Sequence, residues 1–195
     1  KPSSGLWNKK ARGDGKPLTT MRQDGTMDIE IQTDAARLVR RLRQAGLRIT
    51  VAESCTGGLL ASTLTDIAGA SDWFDQSWVT YANDAKTRVL GVSPDTLERK
   101  GAVSAEVAIQ MASGALARST ADIALSVTGI AGPGNVSDKK LGLVYVGAAS
   151  GDWKTAERTI IGGTRAENKL GFVHFAIRVA IENMDAAVKR KEVRA

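Results

Sequence analysis

The spacing of apolar residues changes period repeatedly along the chain, and each change marks the end of one element and the start of another. From Thr33 or Asp34 to Ala45, Leu38, Val39 and Leu42 recur at helical spacing, and Gly46 follows as a stop. Residues 48–52 form a short run rich in branched side chains, which reads as a strand, and 59–67 returns to helical spacing. A second strand is predicted over 78–82, then a short helix over 85–90. Ser93-Pro94 opens another short helix. Ser104 caps a longer one, with Glu106 in its first turn and Val107, Met111, Ala115 and Leu116 facing inward. Residues 122–127 read as a buried strand leading into a Gly-rich loop over 129–142, and 143–149 with 155–161 as a hairpin pair. The last helix is predicted from about Thr164 to Met184, with Leu170, Val173, Ile177, Ile181 and Met184 in register. Strands alternating with helices point to a layered α/β domain.

Charge divides the chain differently. Residues 1–26 hold six Lys/Arg against Asp14 and Asp24, a net of +4, and residues 185–195 hold four against Asp185 and Glu192, a net of +2. These ends account for the whole formal charge of +6, so the centre is neutral and a nucleic-acid partner is not expected. The organisation this suggests is a flexible basic arm over 1–27, one domain over 28–184 and a basic tail over 185–195. No apolar run approaches the roughly 20 residues of a membrane span, and no signal-peptide core opens the chain, so a cytoplasmic location is expected. With one cysteine, Cys55, and one histidine, His174, neither an internal disulfide nor a multi-cysteine zinc site can form. A Ser-His-Asp triad or a His-based metal cluster is equally hard to assemble, and no metal or cofactor is expected.

The candidate chemistry lies where predicted strands end. Val51-Ala52-Glu53-Ser54-Cys55-Thr56-Gly57-Gly58 places hydroxyls and glycines between a strand and a helix. Either Ser54 or Thr56 could cap that helix, and Gly57 and Gly58 let the backbone approach a ligand closely. Unpaired amides at a helix start suit an anion such as a phosphate, although a plain capped helix start explains this octapeptide equally well. Three further turns shift that balance. Thr80-Tyr81-Ala82-Asn83-Asp84-Ala85-Lys86 brings a phenol, an amide and an amine together. Val127-Thr128-Gly129-Ile130-Ala131-Gly132-Pro133-Gly134 ends a strand in a hydroxyl and glycines, and Gly162-Gly163-Thr164-Arg165 adds an arginine able to fork onto a phosphate. Ligands of α/β sheets gather beyond the carboxyl ends of strands, so the four turns are expected to share one pocket.

These segments, together with Gly101-Ala102-Val103-Ser104 and Glu106-Val107, resemble the CinA C-terminal domain, the competence- and damage-inducible protein family, over about residues 49–181. The family includes stand-alone nicotinamide mononucleotide amidohydrolases. The resemblance implies a three-layer α/β/α sandwich with a mixed, largely parallel sheet, no metal and a homodimer. The activity it implies is hydrolysis of the nucleotide's carboxamide to a carboxylate and ammonia. It marks Ser54, Lys86, Tyr81, Thr128 and Arg165 as site residues. Amide hydrolysis needs a nucleophile, a base and oxyanion donors, which suggests Ser54 paired with Lys86, and Tyr81 to relay a proton or orient the lysine. The substrate-binding set is then Thr56, Gly57, Gly58, Thr128, Gly129, Gly132 and Arg165, with the oxyanion held by amides near Gly57 or Thr128–Gly129. A non-catalytic nucleotide-binding module is the alternative. The chain departs from the family pattern at Asn135-Val136, where further glycines are usual. It departs again at Ile161, Thr164 and Lys169, which stand in place of Phe, Asp and a second Arg.

Plainer readings compete at some positions. Cys55 reads as a buried small residue rather than a nucleophile, and His174 as a satisfied or exposed helix histidine. Trp73, Phe74 and Trp78 read as core or subunit-contact residues more simply than as a stack for a base. Ser137-Asp138-Lys139-Lys140 matches the Ser-x-x-Lys of penicillin-binding enzymes but lies in a loop and has no Lys-Thr-Gly partner, so it is rejected.

Overall fold

A computed structural model describes residues 26–133 and 139–194. The basic arm over 1–25 and the segment 134–138, with the Asn135-Val136 departure and Ser137, lie outside the described residues. The elements follow as α1 (Thr26–Ala45), β1 (Ile49–Glu53), α2 (Leu59–Thr65), β2 (Phe74–Val79), α3 (Asn83–Leu90), α4 (Pro94–Lys100), α5 (Ala105–Ala117), β3 (Ile123–Gly129), β4 (Leu143–Ser150), β5 (Trp153–Ile160) and α6 (Arg165–Arg194).

The strands form one five-stranded sheet in the order β2-β1-β3-β4-β5. β1 pairs in parallel with both β2 and β3, whereas β3–β4 and β4–β5 are antiparallel. The sheet is therefore mixed, as expected, with its parallel part confined to β2-β1-β3. β1 is buried along its whole length, because a central strand covered on both faces has no solvent side. Successive side chains supply two cores. Ile49, Val51, Leu125 and Val127 pack with α1, α2 and α6, while Ala52 and Ala124 pack with Leu90, Val107, Met111 and Ala115 of α3 and α5. This period-two division builds the three layers. No helix among the described residues is long and apolar enough to cross a membrane.

Three elements depart most from the bounds the sequence predicts, the others shifting by a residue or two. α1 begins at Thr26 rather than near Thr33, because Ile31 continues the buried stripe of Ala35, Leu38 and Leu42. β2 spans Phe74–Val79 rather than 78–82, its polar middle (Asp75, Gln76, Ser77) being that of an edge strand. α6 continues to Arg194, so 185–194 is helix rather than tail, with Met184 and Ala187 prolonging the stripe of Ile177 and Ile181. Trp73 is a core residue, the first of the two plain readings. It is 1% exposed, and its ring meets Phe74 edge-on, with centroids 6.1 Å apart. His174 reaches Asp34 at 2.9 Å and joins α6 to α1, the satisfied histidine of the plainer reading.

Candidate active site

The carboxyl ends of β1 and β3 open into a cavity of about 200 Å³ lined by Ser54, Tyr81, Asn83, Lys86 and Arg165, by Ala102 and Val103, and by the segment 128–133. All four turns expected to converge contribute to this lining, the first through Ser54 and Cys55 and the last through Arg165 alone. Ser54 follows β1 directly, and its amide donates to Val127 O at 3.0 Å, which extends the β1–β3 ladder by one residue and fixes the start of the turn. On the other side of β1, Thr80 N donates to Glu53 O at 2.8 Å before the chain leaves the sheet and enters α3. The first turn of α3 then carries Lys86 back under the strand ends.

Lys86 is 1% exposed. Its Nζ lies 2.9 Å from Ser54 Oγ, 2.9 Å from Thr80 O and 3.0 Å from Tyr81 O. Two of these partners are carbonyls, which only accept, and the third is a hydroxyl, which can donate. An ammonium donates to all three, and a neutral amine also satisfies them, giving its two N–H groups to the carbonyls and accepting from the Ser54 hydroxyl. None of the three is a carboxylate. Burial away from water lowers the Lys86 pKa from 10.5 to about 8. The structure thus holds a lysine partly neutral near physiological pH against a hydroxyl that is itself 8% exposed.

The Ser54 turn is closed in a way the sequence did not suggest. Neither Ser54 nor Thr56 caps α2. Glu53, fully buried, accepts from Gly58 N at 3.0 Å, Leu60 N at 3.1 Å and Ala61 N at 2.9 Å. Three amides at the start of α2, those of Gly58, Leu60 and Ala61, are therefore already paired with a carboxylate. Gly58, at φ 98°, sits in the left-handed region that this tight closure requires. Thr56, Gly57 and Gly58 accordingly lie outside the cavity lining, and Gly57 N donates to Ser54 O at 3.2 Å rather than facing a ligand. The structure thus places these three residues in the turn beside the cavity rather than in its lining.

The remaining candidates occupy the cavity, though not always as expected. Thr128 lines it, but its hydroxyl donates to Ala102 O at 2.8 Å and so ties β3 to the opposite wall. Lys139 braces the same wall by donating to Val103 O at 2.5 Å and Lys100 O at 2.8 Å. Tyr81 presents its main-chain carbonyl to Lys86. The residue is 59% exposed, and its hydroxyl accepts from Arg165 at 2.8 Å. Arg165 opens α6 from an N-cap at Thr164, where Glu167 Oε2 accepts from Thr164 N at 2.7 Å and Thr164 Oγ1 accepts from Glu167 N at 3.4 Å. Thr164 is therefore a working cap in place of the family's Asp. Gly132 and Gly129 line the loop, and a Cβ on Gly132 would come within 3.1–3.2 Å of the Arg165 side chain. Cys55 also borders the cavity, but burial pushes its thiol up to about 12, which removes it as a nucleophile. A wider cleft of about 570 Å³ lies beside β4 and β5, lined by residues such as Lys140, Leu143, Arg158 and Ile160, and it holds no comparable buried pair.

A hydroxyl and a buried amine thus meet at the strand ends of an α/β/α sandwich, in a cavity that Arg165 also lines. The chain belongs to the CinA C-terminal domain family, whose profile matches residues 31–184. A CinA-like protein of Chlorobium phaeobacteroides is 51% identical over 158 residues, covering 78% of this chain and 37% of that protein. The nicotinamide-nucleotide amidohydrolase PncC of Enterobacter agglomerans is 47% identical over 143 residues, covering 72% of this chain and 87% of the relative. The crystal structure of competence/damage inducible protein CihA from Agrobacterium tumefaciens superposes with a TM-score of 0.75 at 44% identity, over 78% of this chain and 94% of that one. The chain spans about a third of the length of several curated relatives, 34% and 37% of two of them.

Proposed function

We propose that this chain hydrolyses the carboxamide C–N bond of nicotinamide mononucleotide, giving nicotinate mononucleotide and ammonia. The observation that carries the reading is the 2.9 Å contact between a buried, pKa-lowered Lys86 and Ser54 at the floor of the cavity. The relative named as a nicotinamide-nucleotide amidohydrolase supports the choice of substrate. Neutral Lys86 takes the Ser54 proton as Oγ attacks the carboxamide carbon, forming a tetrahedral oxyanion. The backbone amide at Gly129, where β3 ends, is assigned to hold that oxyanion, since Gly57 N is already donated to Ser54 O. The Lys86 ammonium returns the proton to the leaving nitrogen, ammonia departs, and an ester on Ser54 remains. Lys86 then deprotonates a water molecule, which attacks the ester carbonyl, and the carboxylate leaves as Ser54 regains its proton. The cavity receives the ring and its carboxamide, and Arg165 at the mouth holds the phosphate.

The test is ammonia release from nicotinamide mononucleotide by purified protein. Binding of the nucleotide without ammonia release would replace this reading with that of a non-catalytic nucleotide-binding module. Arg165→Ala is expected to raise KM about tenfold or more while lowering kcat less, as steady-state kinetics would show, because a charge-assisted fork to phosphate is lost and the reacting pair is untouched. A homodimer belongs to the same proposal. It is supported by exposed Val79, Tyr81, Leu141 and Ile160, all at the site end of the sheet. Light scattering at micromolar concentration should give twice the chain mass, and a monomer would remove this part of the proposal.

A further inference from the structure

Asn168, one turn into α6, is fully buried and does not line the cavity. Its Nδ2 donates to Ala131 O at 2.8 Å and to Gly163 O at 3.0 Å, while its Oδ1 is buried without a hydrogen-bond partner. One amide group therefore ties together the loop after β3, which forms a cavity wall, and the turn that delivers Arg165. The loop in turn supports the arginine, since the Gly132 backbone lies so close that a Cβ there would stand 3.1 Å from a guanidinium nitrogen and 3.2 Å from the Cβ and Cγ of Arg165. From Arg165 the chain of contacts passes to the Tyr81 hydroxyl.

The energetics point away from a purely stabilising role. An orphaned buried carbonyl is destabilising, a cost that an apolar residue of similar volume would not carry. A buried amide with two donors is nonetheless the simplest group that can join two backbone carbonyls which would otherwise face each other unbridged. Its two bonds are directional and fix the separation of the loop and the helix start. We infer that Asn168 is a positioning residue for substrate binding, setting the Arg165 guanidinium over the cavity mouth by clamping the Ala131 loop to the start of α6. The inference rests on the proposed role of Arg165 as the phosphate-binding residue.

The experiment measures kcat and KM for nicotinamide mononucleotide, with melting temperature, for Asn168→Leu and Asn168→Ser, each alone and combined with Arg165→Ala. Both single variants should raise KM about tenfold while kcat stays within about threefold of the parent, since Ser54 and Lys86 do not depend on the clamp. Combined with Arg165→Ala, neither should raise KM further, because both changes act through the same guanidinium. A wild-type protein that neither binds nor hydrolyses the nucleotide would sink the functional reading and take this inference with it. An active wild type whose Asn168 variants keep normal KM, lose kcat and KM together, show the same effect without Arg165, or fail to fold would overturn the clamp alone.

Discussion

Ser54→Ala should abolish nicotinamide mononucleotide hydrolysis to within about one part in a thousand of wild-type turnover, and Lys86→Arg should do the same although it retains the positive charge. The two substitutions remove different halves of one event. Alanine leaves no oxygen to attack the carboxamide, while arginine supplies a guanidinium that does not give up its proton in the working range. Lys86 is 1% exposed, so a bulkier arginine could disturb packing as well as chemistry. Lys86→Met, which is unbranched and uncharged, separates these effects and should be equally inactive in a folded protein. The double variant should be little worse than either single one, because residues that act as a unit are not additive. Nucleotide binding should survive in all of them, since recognition is assigned to the loop and Arg165. Substantial ammonia release from Lys86→Arg would make Lys86 an electrostatic anchor and move the base to a bound water.

The parts of this structure that could be read from the sequence are those whose signal is local or carried by a long motif. β1 and β3 stand out because a strand covered on both faces leaves a nearly unbroken apolar run. The first turns of α1 do not, because Asp28, Glu30 and Gln32 surround Ile31 and hide a stripe that is continuous in three dimensions. Ser54 and Lys86 are 32 residues apart, so their pairing is legible through the family resemblance and sheet topology rather than through spacing. Glu53 escapes a reading of the sequence for a physical reason. It caps α2 from the end of the preceding strand, bonding amides five to eight residues ahead, whereas ordinary capping rules look two or three residues ahead. The signal that would have found it is that Leu59 follows two glycines with no polar cap in position, so the helix amides needed an acceptor from elsewhere. Asn168 is equally hidden, because a polar residue in the first turns of a helix reads by default as solvent-facing.

The second large effect is on pH. Only neutral Lys86 can accept the Ser54 proton, and burial sets its pKa at about 8. The rate constant kcat/KM should therefore climb about tenfold per pH unit below that point and level off above it. The same group should leave a mark on stability, and its sign is fixed. Unfolding returns the lysine to its ordinary value of 10.5, so between about 8 and 10.5 the unfolded chain binds a proton that the folded chain does not. Stability contributed by this group rises with pH through that window. Below it, where both states are protonated, the full cost of holding a charge out of water remains, and above it the cost is gone. The gain across the window is about 3 kcal/mol, at roughly 1.4 kcal/mol per pH unit. The Cys55 thiol, held near 12, stays protonated in the folded protein across this window, and its own titration on unfolding pulls the other way. Lys86→Met retains Cys55, so subtracting its stability from that of the wild type isolates the lysine. Urea unfolding of both proteins from pH 7.5 to 10.5 (about the range of the two lysine values) is the measurement. The wild type should gain on Lys86→Met as pH rises. A difference that stays flat would mean that Lys86 is charged in the folded protein at all these pH values, and the buried amine could not then be the base.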